Sequence, residues 1–317
     1  MVRSDPNGGL VTKRIFWAER LGCGSRAARC VLWDGASTTR RTNRIRHDRA
    51  GWLIDPGTAA VTTGIERDGL FTPTCPDAVA GRSIAAEWRS VGFIHWAYEP
   101  EALAGLLPDL ISPDLYGGRA WAGYQFTTVS FGRGRIGRWP PLDRLPWRVQ
   151  LRPEHHEVRA VIAVVDRLGR PGVWYPSVDT NRKTVAAGFR RWLNLSAYES
   201  ESRFSTADDR VDYWTKRPDG TSARLNLTIG PKIDPTDVDH FLTARWRIVL
   251  PPRHWESPND ARTITTVHEP WILHRASVEL FDDDVLVAAG LPPAIGPGQA
   301  LWSPGTSVTL GWSDPSD

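Results

Sequence analysis

The stretch HHEVRAVIAVVDRLGRPGVWYPSVD, residues 155–179, constrains this chain more than any other. Two β-branched runs of strand length meet at RLGRPG, whose glycines and proline suit the reversal of a hairpin. A lone hairpin is not stable in water, so it requires further strands against an apolar face. The chain supplies them. EWRSVGFIHWAY (87–98) and GRAWAGYQFTTVSF (118–131) read as strands, and VDYWTKRPDGTSARLNLTI (211–229) as a second hairpin around Asp219-Gly220. TITTVHEPWILHRASVELF (263–281) and TSVTLGW (306–312) close the set. Between them fall short helices: one begun at Pro100 and stopped at Pro108, one over 181–193, one in DPTDVDHFLTARW capped by Asp234 or Thr236, and a small one in DDVLVAAG. The Gly, Arg and Pro segment GRGRIGRWPPLDRLPW (132–147) is too irregular for either element. About ten strands with three or four short helices and no βαβ alternation predict an α+β fold. Its large, mostly antiparallel sheet is expected to curl or close into a cone-like barrel, which removes exposed edges.

Residues 1–80 read differently. GASTTRRTNRIRHDRAG has no apolar period, and the segment after it is rich in Gly, Thr and Pro. The expected division is a poorly ordered basic extension over 1–80 and a single domain over 81–317. The basic run from Arg40 to Arg49 is either a solvated tail, sequence upstream of the true start, or a nucleic-acid arm. The last ranks lowest, because the net charge is only +3 and arginine is spread along the chain with acids nearly matching it. No apolar run resembles a signal peptide or a membrane span, so a soluble, cytoplasmic protein without a membrane partner is expected. Cys23, Cys30 and Cys75 lack metal or disulfide spacing.

Alternation along the strands nominates site residues. On 155–165 one face is Val158, Ala160, Ile162 and Val164, and the other carries His155, Glu157 and Arg159. Glu157 and Arg159 project the same way, either as a surface ion pair or as a carboxylate and guanidinium in a cavity wall. His95 alternates with Val91, Phe93 and Ala97, and His274 with Ile272, Ala276 and Val278, so each imidazole shares a face with apolar neighbours. Each is a hydrogen-bonded core histidine or a pocket group titrating near neutral pH. Tyr198, just past the helix, is a candidate phenol for the cavity, and Asp179 or Thr180 is a candidate helix cap. His155 and His156 point to opposite faces, so neither metal nor another cofactor is expected.

In order along the chain, FIHWAYEPEALAGLLPDL, DLYGGRAWAGYQFTTVSF, EVRAVIAVVDRLGRPGVWYPSVD, FLTARWRIV, HEPWILHRASVEL and WSPGTSVTLGW resemble the motifs of the YqjF-like family of uncharacterised bacterial proteins. The resemblance runs from about residue 85 to 313. It implies a fold related to acetoacetate decarboxylase, a cone-like antiparallel barrel around a cavity, and supplies no established activity. In the decarboxylase pattern a Gly-rich helix turn leads to a Schiff-base lysine. Counted from Gly188, that position falls at Ser196 or Ala197, and neither is an amine. Lys183 does not substitute for it: at 100° per residue Val185, Phe189, Trp192 and Leu193 share one face, and Lys183 falls with Arg190 on another, toward water.

The expected function is therefore binding of a small molecule. One form is an enzyme acting on an organic acid or carbonyl compound without a Schiff-base lysine, with Glu157 or His95 as general acid or base and Arg159, Tyr198 and His274 as substrate contacts. The alternative is a ligand-binding or interaction module without catalysis.

Overall fold

The computed structural model describes residues 28–32, 41–48, 51–55, 65–66, 71–77, 79, 83–131, 154–251 and 262–312. The chain divides into two compact units at Thr63/Gly64. In the first, β1 (Ala28–Leu32), β2 (Arg41–Asp48) and β3 (Gly51–Asp55) pair antiparallel in that order. No strand is legible there in the sequence, because ladder hydrogen bonds between backbones need no apolar period. Apart from these strands and a few residues after 64, the segment read as a poorly ordered extension lies outside the described residues, as does the loop at 132–147.

The second unit begins with β4 (Ile65–Glu66), β5 (Ser83–Tyr98), α1 (Pro100–Ala104), β6 (Ile111–Tyr116), β7 (Arg119–Phe131), β8 (His155–Asp166) and β9 (Pro171–Thr180). Next come α2 (Lys183–Gly188), a π-helical turn over Phe189–Leu193, β10 (Ala197–Glu199), β11 (Glu201–Ala207), β12 (Arg210–Lys216) and β13 (Ser222–Lys232). The remainder is α3 (Asp237–Thr243), β14 (Arg247–Val249), β15 (Thr263–His268), β16 (His274–Asp283), α4 (Val285–Ala288) and β17 (Gln299–Trp312). Both hairpins form where the turn residues place them: β8 with β9, and β12 with β13. Of the two candidate caps for α3, Thr236 is the one used, in a capping box with Asp239.

Pairing closes a circuit. β5 pairs β7, β7 pairs β8, β8 pairs β9, β9 pairs β14, β14 pairs β15, β15 pairs β17, and β17 returns to β5. Only the β9–β14 step of this ring is parallel. β10 also lies parallel to β9, joined to it by α2, a crossover that the sequence conceals because β10 spans only 3 residues. The sheet is thus α+β, mostly antiparallel and curled into a ring.

The strands β16, β13, β12 and β11 continue from β17 as a second layer. Ile94, Phe126 and Ile162 from the ring pack with Tyr213, Leu225 and Leu227 from that layer in the largest apolar cluster. The ring of Phe126 stacks on Tyr213 at 4.9 Å. This explains why β8 is almost wholly buried. Its Val158, Ala160, Ile162 and Val164 face the second layer, while Glu157 and Arg159 alternate onto the opposite face of the sheet. Among the described residues, no helix is long and apolar enough to cross a membrane.

Candidate functional site

A cavity of about 440 Å³ lies between the ring and the α2 helix with its π-helical extension. Val178, Leu195, Ile248, Leu250 and Ile264 form much of its wall, and Val185, Phe189, Trp192 and Leu193 close it from the helix. Those four are the residues that helical periodicity places on one face. The α-helix itself ends at Gly188, and the π turn continues it to Leu193, where Asn194 adopts a left-handed conformation with φ 55°.

Glu157 and Arg159 both line this cavity. Two residues apart on β8, they point the same way, with relative exposures of 1% and 5%. Arg159 donates from Nε to Glu157 Oε2 at 2.8 Å, and its Nη2 approaches the same oxygen at 2.6 Å. Its Nη1 donates to Oε1 of Gln125 at 2.9 Å, directly across on β7. On the other side His155 Nε2 meets Glu157 Oε1 at 2.7 Å. The guanidinium lies 4.4 Å from the Trp88 ring centroid. Burial pushes the Glu157 carboxyl up, but Arg159 and the His155 and Arg159 hydrogen bonds outweigh it and hold the pKa at about 2. Glu157 is accordingly a carboxylate locked in an ion pair.

Tyr175 completes the polar end of the cavity. Its hydroxyl is hydrogen-bonded to Arg159, and burial raises its pKa, so it is a neutral phenol. Arginine can only donate, so the phenol oxygen accepts from it and the phenolic proton is left to be donated elsewhere. Sequence reading missed Tyr175 because it sits among the apolar residues of β9; its alternation with Val173 was the available signal.

His95 stands elsewhere. It lines a separate space of about 40 Å³ that shares Trp88 and Tyr175 with the main cavity. Burial, with Arg245 adding to it, lowers the imidazole pKa to about 3, so the expectation of titration near neutral pH fails. Its Nδ1 is buried and, among the described residues, has no hydrogen-bond partner.

The remaining candidates are not brought to the cavity. Tyr198 is 40% exposed, and its ring carries the Arg217 guanidinium at 3.7 Å. His274 bonds through Nδ1 to the Gly230 carbonyl at 3.0 Å and meets Trp302 edge-on. The apolar face expected around it is in fact partly solvated: Ile272 lies ahead of β16 and is exposed, and Val278 is exposed on β16, which belongs to the second layer. Asp179 caps no helix: both its oxygens take Arg217, Oδ1 from Nε at 2.6 Å and Oδ2 from Nη2 at 2.8 Å. His155 joins the Glu157 ladder while His156 stacks on Phe204, which separates the two imidazoles as alternation requires. Among the described residues no group of three or more His, Cys, Asp or Glu side chains is placed to hold a metal ion.

Lys183 is exposed and does not line the cavity, whereas Ala197 is buried and Ser196 exposed at the position counted from Gly188. Treating the protein with pyruvate or acetoacetate and borohydride is expected to leave Lys183 unmodified by mass spectrometry. A trapped adduct there would contradict its placement.

The chain matches the model of the family DUF2071, described as an uncharacterized conserved protein, over residues 85–307. It is 25% identical over 209 residues to the uncharacterized protein YqjF of Bacillus subtilis (strain 168), covering 64% of this chain and 80% of that protein. Among solved structures it is similar to an acetoacetate decarboxylase-like enzyme from Sphingomonas wittichii RW1, with TM-score 0.47 and 15% identity over 74% of this chain and 93% of the other. It is also similar to the enduracididine biosynthesis enzyme MppR complexed with pyruvate, with TM-score 0.49 and 15% identity over 79% and 99% of the two chains. A third likeness is to the acetoacetate decarboxylase of Legionella pneumophila subsp. pneumophila str. Philadelphia 1, with TM-score 0.46 and 15% identity over 74% and 86%.

Proposed function

The chain belongs to the DUF2071 family, and for this member we propose that the cavity binds one small, mainly apolar molecule carrying a polar group. The observation that carries this reading is a space of about 440 Å³, walled by aliphatic and aromatic side chains and holding one self-satisfied ion pair. That size falls within the roughly 300–1,000 Å³ of small-molecule sites, and a few convergent polar groups in an apolar wall are their usual composition.

Binding is favoured over general acid–base turnover. Glu157 at a pKa of about 2 and His95 at about 3 are both weak bases at neutral pH. A second reading, turnover of a carbonyl compound, is supported by one feature: the neutral Tyr175 phenol and Arg159 both face the cavity, where a hydroxyl donor would polarise a ligand oxygen. No amine is required in either case.

The test is a thermal-shift screen of fatty acids, organic acids and carbonyl compounds, with mass spectrometry of each mixture to separate a bound ligand from a converted one. Ala187→Trp and Ile264→Phe each put an aromatic ring into the space from opposite walls. Each is expected to weaken a ligand by about ten-fold or more, about 1.4 kcal/mol, while the protein still unfolds cooperatively. Ligands that bind both variants as tightly as the parent would place binding outside the cavity, and a screen without a hit would remove the reading.

A further inference from the structure

The polar groups deep in the cavity have little charge to offer a ligand. Glu157 and Arg159 neutralise each other, and Gln125 takes a further guanidinium proton. The mouth is different. Of the lining residues, the exposed ones on the capping helix are Thr184, Ala187 and Arg191, so the cavity reaches solvent beside that helix. Among the described residues Arg191 has no hydrogen-bond or ion-pair partner. Its neighbour Arg190 is committed, donating from Nη1 to the Ala197 carbonyl at 2.6 Å.

The capping segment carries charge of one sign. Residues 181–198 contain Arg182, Lys183, Arg190 and Arg191 and no carboxylate. Arg182, Lys183, Arg190 and Arg191 are all exposed, so the solvated side of this segment, to which Arg191 at the cavity belongs, is electropositive. The π-helical turn supplies the geometry: Phe189, Trp192 and Leu193 line the apolar space, and Arg191, in the same turn, lines it from the solvated side.

On the basis of the small-molecule reading above, we propose that the ligand is an amphiphilic monoanion, a carboxylate with an apolar body, bound with its charge at Arg191 and its body directed inward. The apolar body displaces water from the aliphatic wall, and the carboxylate stays half-solvated in a charge-assisted, bidentate contact that a guanidinium is shaped to make. In this arrangement the polar end at Glu157 and Arg159 gains no net charge, which avoids leaving a second buried anion uncompensated. Lys183 contributes to the field that attracts the ligand and touches nothing that reacts.

The probes are decanoate, decan-1-ol and decyltrimethylammonium, titrated calorimetrically into the full chain at low salt. Decanoate is expected to bind about ten-fold more tightly than decanol, with the cation weakest, and the preference is expected to shrink at 0.5 M salt as screening shortens to about 4 Å. Arg191→Gln is expected to bring decanoate down to decanol and leave decanol unchanged; Arg191→Lys is expected to keep part of the preference. Equal binding of all three probes, or a preference for decanoate that survives Arg191→Gln, overturns the proposal while leaving the cavity reading standing. If none of the three probes binds, the cavity reading falls and the proposal with it.

Discussion

Arg159→Met is expected to lower stability by about 3–5 kcal/mol at pH 7, because it strands the Glu157 carboxylate at 1% exposure with His155 as its remaining partner. The sign of its pH dependence is the sharper test. In the parent protein the Glu157 pKa is depressed to about 2 from an ordinary 4.5. That pair therefore contributes stability that is fully present above about pH 4.5 and is lost as pH falls through about 2, worth roughly 3 kcal/mol. Without Arg159, only the His155 contact still opposes burial, and the carboxyl rises. The variant then keeps its stability in acid and loses it as pH rises, so its deficit narrows between pH 7 and pH 4. Adding Glu157→Gln to Arg159→Met is expected to restore most of the loss at pH 7. Urea melts at both pH values read all three effects. A pH-independent deficit below about 1 kcal/mol would mean that the pair behaves as an exposed one.

Gly123→Ala carries the second large effect. Gly123 lies on β7 opposite His95 of β5, and a Cβ there would sit 1.9 Å from the Ile94 carbonyl oxygen and 2.7 Å from the His95 Cα. Those are backbone atoms, so no rotamer change relieves the clash; β5 and β7 must separate where the ring closes. The expected loss is about 3 kcal/mol or more, at the upper end of overpacking. Gly105→Ala is the control. Gly105 has φ −68° and nothing within 4 Å of the added carbon, so the variant is expected to be neutral or more stable by about 0.4–1 kcal/mol. Chemical denaturation of the two side by side separates crowding from chain entropy. Equal midpoints would show that β5 and β7 have room to adjust.

Much of the architecture was legible because it is local. A period of 2 in β-branched runs, and turn residues between them, identify β8, β9, β12 and β13 without knowledge of what they face. The same period put Glu157 with Arg159 and apart from Val158. The short elements escaped: β10 and β14 have 3 residues each, too few to show a period. Tyr175 escaped as well: alternation with Val173 assigns it a face, but only the pairing of β9 with β8 brings that face beside Arg159. His274 misled for the complementary reason. Its segment alternates as a core strand would, yet Ile272 falls ahead of β16 and Val278 on it, and both are exposed.

The sequence by itself determined which side chains share a face: Val158 to Val164 on one side of β8, Glu157 and Arg159 on the other, and Lys183 off the apolar stripe of its helix. Those are consequences of backbone geometry repeating every few residues. Only the tertiary structure decided which face looks into a hollow and which into packed core. That choice depends on β17 returning to pair with β5 and on β11, β12, β13 and β16 covering the outside. Contacts between residues some 200 positions apart set the burial, as between β5 and β17, and burial turned Glu157 and Arg159 into a locked pair and His95 into a neutral imidazole.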